Sequence, residues 1–112
     1  MASVADVLSE CTVVSAKLNT SVELQFDAAE VKDWTVVKDG QDVASCRNGK
    51  PHSKPGFEIM TLCSDPKPRI KIKSVETEHF GTYTLEKNRQ NYSCVKLGKN
   101  QKQILCHRKD YC

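Results

Sequence analysis

Ile70-Lys71-Ile72-Lys73-Ser74-Val75-Glu76-Thr77-Glu78-His79-Phe80-Gly81-Thr82-Tyr83-Thr84-Leu85 is the stretch on which the fold turns. Arg69-Ile70-Lys71-Ile72-Lys73 alternates polar and apolar. That period of two predicts a strand with Ile70 and Ile72 on its buried face and Arg69, Lys71 and Lys73 on the other. Val75 supplies a third apolar side chain before a polar run. Gly81, which carries no Cβ, lets the chain turn tightly. Thr82 to Glu86 reads as the next strand.

Similar patterns extend in both directions. Val13-Val14 sits in an early apolar stretch, and Ser21-Val22-Glu23-Leu24-Gln25-Phe26 alternates strictly, with Val22, Leu24 and Phe26 inward. Asp27 to Glu30 reads as a short turn. Trp34-Thr35-Val36-Val37 is a β-rich run ending at Asp39-Gly40, the strongest short-range hairpin signal. A partner strand over Asp42 to Cys46 follows. Arg47 to Gly56, with Pro51, Pro55 and two glycines, reads as a loop. Phe57 to Cys63 and Tyr92 to Leu97 are further strands, and Gly98 to Lys102 reads as a polar turn. The last residues, Gln103 to Cys112, fit either a strand or a single helical turn. Seven or eight short strands separated by turn signals predict an all-β sandwich with little helix.

Residues 70–85 resemble the segment joining two strands at the corner of immunoglobulin-superfamily domains, whose pattern is apolar-x-apolar-x-x-apolar followed by Asp-x-Gly-x-Tyr-x-Cys. Ile70, Ile72 and Val75 fill the apolar slots, and His79-Phe80-Gly81-Thr82-Tyr83 fills the corner. The resemblance makes Tyr83 the corner tyrosine. It sets Leu24 and Leu85 where such domains carry their two core cysteines, and Trp34 where they carry the core tryptophan. Two leucines can pack where a disulfide would sit. Three features depart from the pattern: His79 replaces the corner aspartate, the core cysteines are absent, and all six cysteines lie elsewhere. The Phe80-Gly81-Thr82-Tyr83-Thr84 corner also resembles the immunoglobulin-like domains of invertebrate fibrinogen-related immune lectins. The implied fold is an immunoglobulin-like antiparallel β-sandwich with non-standard disulfides. A different small cystine-rich β fold and a fibronectin-III-like sandwich are the alternatives.

The 112 residues suit one domain, taken as 1–112. Apolar residues make up 38% and charged residues 28%, and mean hydropathy is −0.53. No apolar run approaches the ~18–20 residues of a membrane span. These figures argue against a large enzyme, a spanning chain and a wholly disordered one. The six cysteines are Cys11, Cys46, Cys63, Cys94, Cys106 and Cys112. They form no CxxC pair, so disulfides are favoured over zinc, and with them an oxidising, extracellular setting. Three bridges would each add about 2–5 kcal/mol. Six cysteines allow 15 connectivities. The sandwich implied by the resemblance favours Cys46 with Cys63 across a loop. It also favours Cys11 on the first strand with Cys94 on the last, which leaves Cys106 for Cys112.

Asn19-Thr20-Ser21 and Asn91-Tyr92-Ser93 match the N-glycosylation pattern, which is also common by chance. Met1-Ala2-Ser3 begins no signal peptide and reads as an expression start in place of a removed one. The end at Cys112 fits a natural terminus or a cut from a longer extracellular protein.

Catalysis finds little support. No G-x-S-x-G occurs, paired cysteines leave no thiol, and His52, His79 and His107 are scattered. A metal site from Cys94, Cys106, His107 and Cys112 is outweighed by structural disulfides. No cofactor motif is present. Residues 1–56 hold 6 Lys+Arg against 8 Asp+Glu, a net of −2; residues 57–112 hold 11 against 6, a net of +5. Lys96, Lys99, Lys102 and Arg108 are candidate contacts for a sulfated polyanion. The Arg69-Lys71-Lys73 stripe reads first as a solvated strand face. Nucleic-acid binding would want exposed aromatics beside these cations, and the corner claims Phe80 and Tyr83, leaving only Tyr92 and Tyr111.

These readings predict a secreted or ectodomain recognition module for a protein or glycan partner, in immune recognition or adhesion, as a monomer or weak dimer. A free-standing cystine-rich effector or inhibitor, or a polyanion binder, is the alternative.

Overall fold

The computed structural model describes residues 11–29 and 32–99. Cys106, Cys112, Lys102 and Arg108, with His107, Tyr111 and the segment from 103 onward, lie outside them. Nine strands are present: β1 Thr12–Ala16, β2 Val22–Gln25, β3 Trp34–Lys38, β4 Gln41–Arg47, β5 Lys50–Ser53, β6 Phe57–Ile59, β7 Arg69–Ile72, β8 Gly81–Lys87 and β9 Gln90–Lys99. They form a six-stranded sheet, ordered β1-β9-β8-β3-β4-β5, and a three-stranded sheet, ordered β2-β7-β6. A single 3₁₀ turn, Thr77–His79, precedes β8.

Alternation builds the core. Leu24, Ile70 and Ile72 point inward from the small sheet. Trp34, Val36, Tyr83, Leu85, Val95 and Leu97 point inward from the large one, and all are fully or almost fully buried. Leu24 and Leu85 therefore sit in opposing sheets within one apolar cluster that also holds Trp34. Trp34 Nε1 is buried without an acceptor, and nothing in the structure explains it.

The corner forms around Tyr83. Its hydroxyl donates to the His79 carbonyl at 2.6 Å. His79 fills the aspartate position by two contacts: its Nδ1 accepts the Glu76 N–H at 2.8 Å, and its ring meets Phe57 edge-on at 5.4 Å. Gly81 has φ +139°, and a Cβ there would stand 3.1 Å from Lys38 Cε. Burial, and then the Asp39 charge, push the Tyr83 phenol well above its usual range, so it stays a neutral donor.

The structure pairs Cys11 with Cys94 and Cys46 with Cys63, at Cα separations of 4.8 and 5.6 Å. The first ties β1 to β9 within the large sheet. The second ties the end of β4 to the loop after β6 and so links the two sheets at their rim, while leucines hold the centre. Chain-entropy arguments assign about 4.5 kcal/mol to the 83-residue separation and about 3 kcal/mol to the 17-residue one.

Several local expectations change. Arg47 to Gly56 is not wholly loop: Asn48-Gly49, both at positive φ, turn the chain into β5. Pro51 is tolerated because β5 is an edge strand, where one face of the ladder needs no N–H. β6 stops at Ile59, since Cys63, Pro66 and Pro68 commit the following residues to a bridged loop. Gly98 and Lys99 continue β9 instead of turning, because β1 lies beside them. That pairing is parallel, Thr12↔Val95 through Ala16↔Lys99, so the sandwich is not antiparallel throughout.

Candidate recognition face

Each sheet turns one face to solvent, and the two faces differ in chemistry. On the small sheet, register sets Lys71 opposite Glu23 of β2 and Glu58 of β6. Arg69 Nη1 donates to Glu23 Oε1 at 3.2 Å. Arg69 and Lys71 of the basic stripe therefore stand beside carboxylates, whereas Lys73 lies past the end of β7, and exposed pairs of this kind contribute little beyond solubility.

On the large sheet the outward residues follow from the inward ones. Trp34 and Cys46 are paired inward, so Thr35 and Ser45 pair outward; Val36 and Leu85 are inward, so Thr35 and Glu86 pair outward. An extra residue in β4, Val43, shifts the register, and Val37 then faces out beside Asp42 and Thr84. Thr82 pairs with Lys96, Thr84 with Cys94 and Val13 with Lys96. The middle of this face is thus Thr35, Val37, Thr84 and the Cys11–Cys94 bridge, with no charge among them. Charged groups stand around it: Glu86 above, Asp42 to one side and Lys96 below. Val13, 70% exposed, extends the apolar surface onto the edge strand. His52 lies opposite Ser45 on β5, where a groove of about 410 Å³ runs between β4 and β5.

The loops at the upper end are pinned. The Asp27 N–H donates to Ser93 Oγ at 2.9 Å, and the Asn48 N–H to Asp33 Oδ1 at 3.1 Å. Asn88 and Arg89 form the β8–β9 turn, both at positive φ, with Arg89 at +66° where the other two hairpin turns place glycine. No sequence signal had marked that turn. Leu62, 77% exposed, protrudes one residue before Cys63. At the lower end lies a cleft of about 370 Å³ whose two lysines are already engaged, Lys38 on Asp39 and Lys54 on Gln41.

The candidate site residues from the sequence are dispersed. Asn19 is exposed in the turn between β1 and β2 at the lower end, its N–H donating to the Val75 carbonyl at 2.8 Å. Asn91 is exposed on the outer face of the large sheet, opposite Glu86. Lys96 is exposed on that same face, and Lys99 ends β9. Among the described residues no group of three His, Cys, Asp or Glu gathers to hold a metal ion, and no helix is long and apolar enough to cross a membrane.

Two packed sheets, β1 parallel to β9, the strands β4 and β5 at the far edge of the larger sheet and the tyrosine corner define an immunoglobulin-like fold of the variable type. Solved structures of that kind superpose on it. The chain is similar to Tim-4 in complex with phosphatidylserine, with a TM-score of 0.61 and 8% identity, covering 79% of this chain and 97% of that one. It is similar to the Dpr11 IG1 domain bound to DIP-gamma, with a TM-score of 0.62 and 16% identity, covering 80% and 98%. It is similar to the ZIG-8 IG1 homodimer, with a TM-score of 0.57 and 16% identity, covering 87% and 95%. No family model matches the chain, and no curated protein matches it in sequence.

Proposed function

We propose that this chain is a non-catalytic extracellular recognition module, acting in immune recognition or adhesion, that binds a protein or glycan partner through the outer face of its six-stranded sheet. One observation carries the reading: the middle of that face, Thr35, Val37 and Thr84, is uncharged, whereas the opposite face sets Lys71 between Glu23 and Glu58 and pairs Arg69 with Glu23. The cores of protein interfaces are depleted in charge, and self-paired faces have little to offer a partner. Similar solved structures lend support, since they comprise a phosphatidylserine complex, a complex between immunoglobulin domains and a homodimer. The two disulfides fit an oxidising compartment.

The test is a multimerised form of the chain screened against extracellular domains and glycans. A partner that uses this face loses more than about tenfold in affinity on Val37→Arg with Thr84→Arg and is unmoved by Lys71→Glu. The reverse pattern overturns the assignment. A polyanion reading retains Lys96 and Lys99, with Lys102 and Arg108 outside the described residues, but the small sheet no longer adds cations to it. Salt-sensitive heparin retention that is lost on neutralising Lys96 and Lys99 would favour it.

A further inference from the structure

The upper corner of the recognition face carries a residue whose chemistry is independent of any partner. Asn91 opens the sequence Asn91-Tyr92-Ser93 and is exposed on β9. Its register partner is Glu86, whose own partner on β3 is Thr35, so all three line up across one side of the sheet. At strand spacing, Asn91 stands roughly 10 Å from Thr35. An extra residue in β9, Tyr92, separates Asn91 from Ser93, so the register shift between Leu85 and Glu86 keeps Asn91 outward. The Ser93 hydroxyl is engaged by the Asp27 N–H in the folded chain. The other site of the same pattern, Asn19, lies at the opposite end of the sandwich, in the turn between β1 and β2.

We infer that Asn91 is an N-glycosylation site whose sugar covers the upper part of the large sheet's outer face and leaves Val13, Thr82 and Lys96 open below. The modification forms a bond between the Asn91 side-chain nitrogen and the anomeric carbon of an oligosaccharide. It breaks that carbon's bond to a lipid diphosphate donor, which departs as the leaving group, while the amide nitrogen loses a proton to the transferase. The consequence for recognition rests on the function proposed above; the modification and the shielding do not. A glycan of several sugars rooted beside Glu86 sterically excludes a macromolecule from Thr35. Recognition is then confined to the lower half of the face, or to both halves when Asn91 is unmodified.

The experiment separates these parts without a partner. The chain is secreted from a glycosylating host, and peptides containing Asn19 and Asn91 are analysed by mass. Asn91→Gln serves as the unmodified reference; Ser93→Ala is avoided because it removes the acceptor of the Asp27 N–H. Thr35→Lys is then made in both backgrounds, and the rate of acylation by a bulky amine-reactive ester is compared at position 35 and at Lys96. The expected result is a glycan on Asn91, labelling at position 35 slowed several-fold relative to the Asn91→Gln background, and Lys96 unchanged. An unmodified Asn91, or equal labelling at position 35 in both backgrounds, overturns the inference. Loss of partner binding on Val37→Arg is read separately and bears only on the recognition face.

Discussion

The two outer faces are made by the same alternation and end with opposite chemistry. The small sheet places Lys71 between Glu23 and Glu58 and joins Arg69 to Glu23, so opposite charges adjoin across its surface. The large sheet places Thr35, Val37 and Thr84 together, with charge only around them. Inward, the sheets are alike: β-branched and leucine side chains fill a shared core. The difference teaches that stability resides in the inner faces of both sheets, while the outer faces differ in charge, and the proposed binding surface is the uncharged one.

The largest test of that division is core truncation. Ile72→Ala, at a fully buried position in the middle strand of the small sheet, is expected to cost about 2–5 kcal/mol, against less than about 1 kcal/mol for the outward Val37→Ala. Urea unfolding midpoints measure both; equal losses would erase the distinction between inner and outer faces. Next comes the link between the sheets. Cys46→Ala with Cys63→Ala is expected to lower stability by about 3 kcal/mol, since the bridge is then no longer there to restrict the unfolded chain. A negligible change would mean that the leucine-packed centre alone holds the sheets together.

The corner gives a smaller effect with a pH signature. Tyr83→Phe removes one hydrogen bond and is expected to cost about 1 kcal/mol. The folded phenol is raised, by burial first and Asp39 second, so the native state holds its proton where the unfolded state releases it. The contribution is complete below the unfolded value of about 10 and falls as pH rises beyond it. Thermal melts should therefore show an alkaline decline in the native chain that is shallower in Tyr83→Phe. An identical decline would place the titration elsewhere.

The smallest effect addresses the outer faces directly. Lys71→Glu sets three carboxylates in a row across the small sheet and is expected to cost about 0.2–1 kcal/mol, less at high salt. Lys96→Glu, flanked by Val13 and Thr82, should show no such salt dependence. Matching salt responses would mean that the compensated face is not distinct.

Much of the fold was legible because its signals are local. Val22 to Phe26 and Arg69 to Lys73 announced their buried sides by alternation, Trp34 to Val37 announced a strand by composition, Asp39-Gly40 announced its turn, and Gly81 with Tyr83 marked the corner through the immunoglobulin-like pattern. The pairs Cys46–Cys63 and Cys11–Cys94 followed from laying the cysteines on an immunoglobulin-like sandwich. Less was legible where a neighbour overrode local composition. Lys50-Pro51-His52-Ser53 looks like loop and becomes a strand because β4 offers it an edge. Gly98 looks like a turn and stays in the ladder because β1 runs parallel beside it. The recognition face was the least legible feature, since Thr35, Val37 and Thr84 carry no motif and matter only together.

The sequence by itself determined which side chains of the two strictly alternating strands turn inward and where the Asp39-Gly40 reversal falls, because each depends on residues a few positions apart. Only the tertiary structure decided that Glu23 and Glu58 flank Lys71, that Asn91 shares a face with Thr35, and that the uncharged residues of three strands form one surface. Those outcomes depend on strand order and register, where a shift of one residue turns every side chain to the other face.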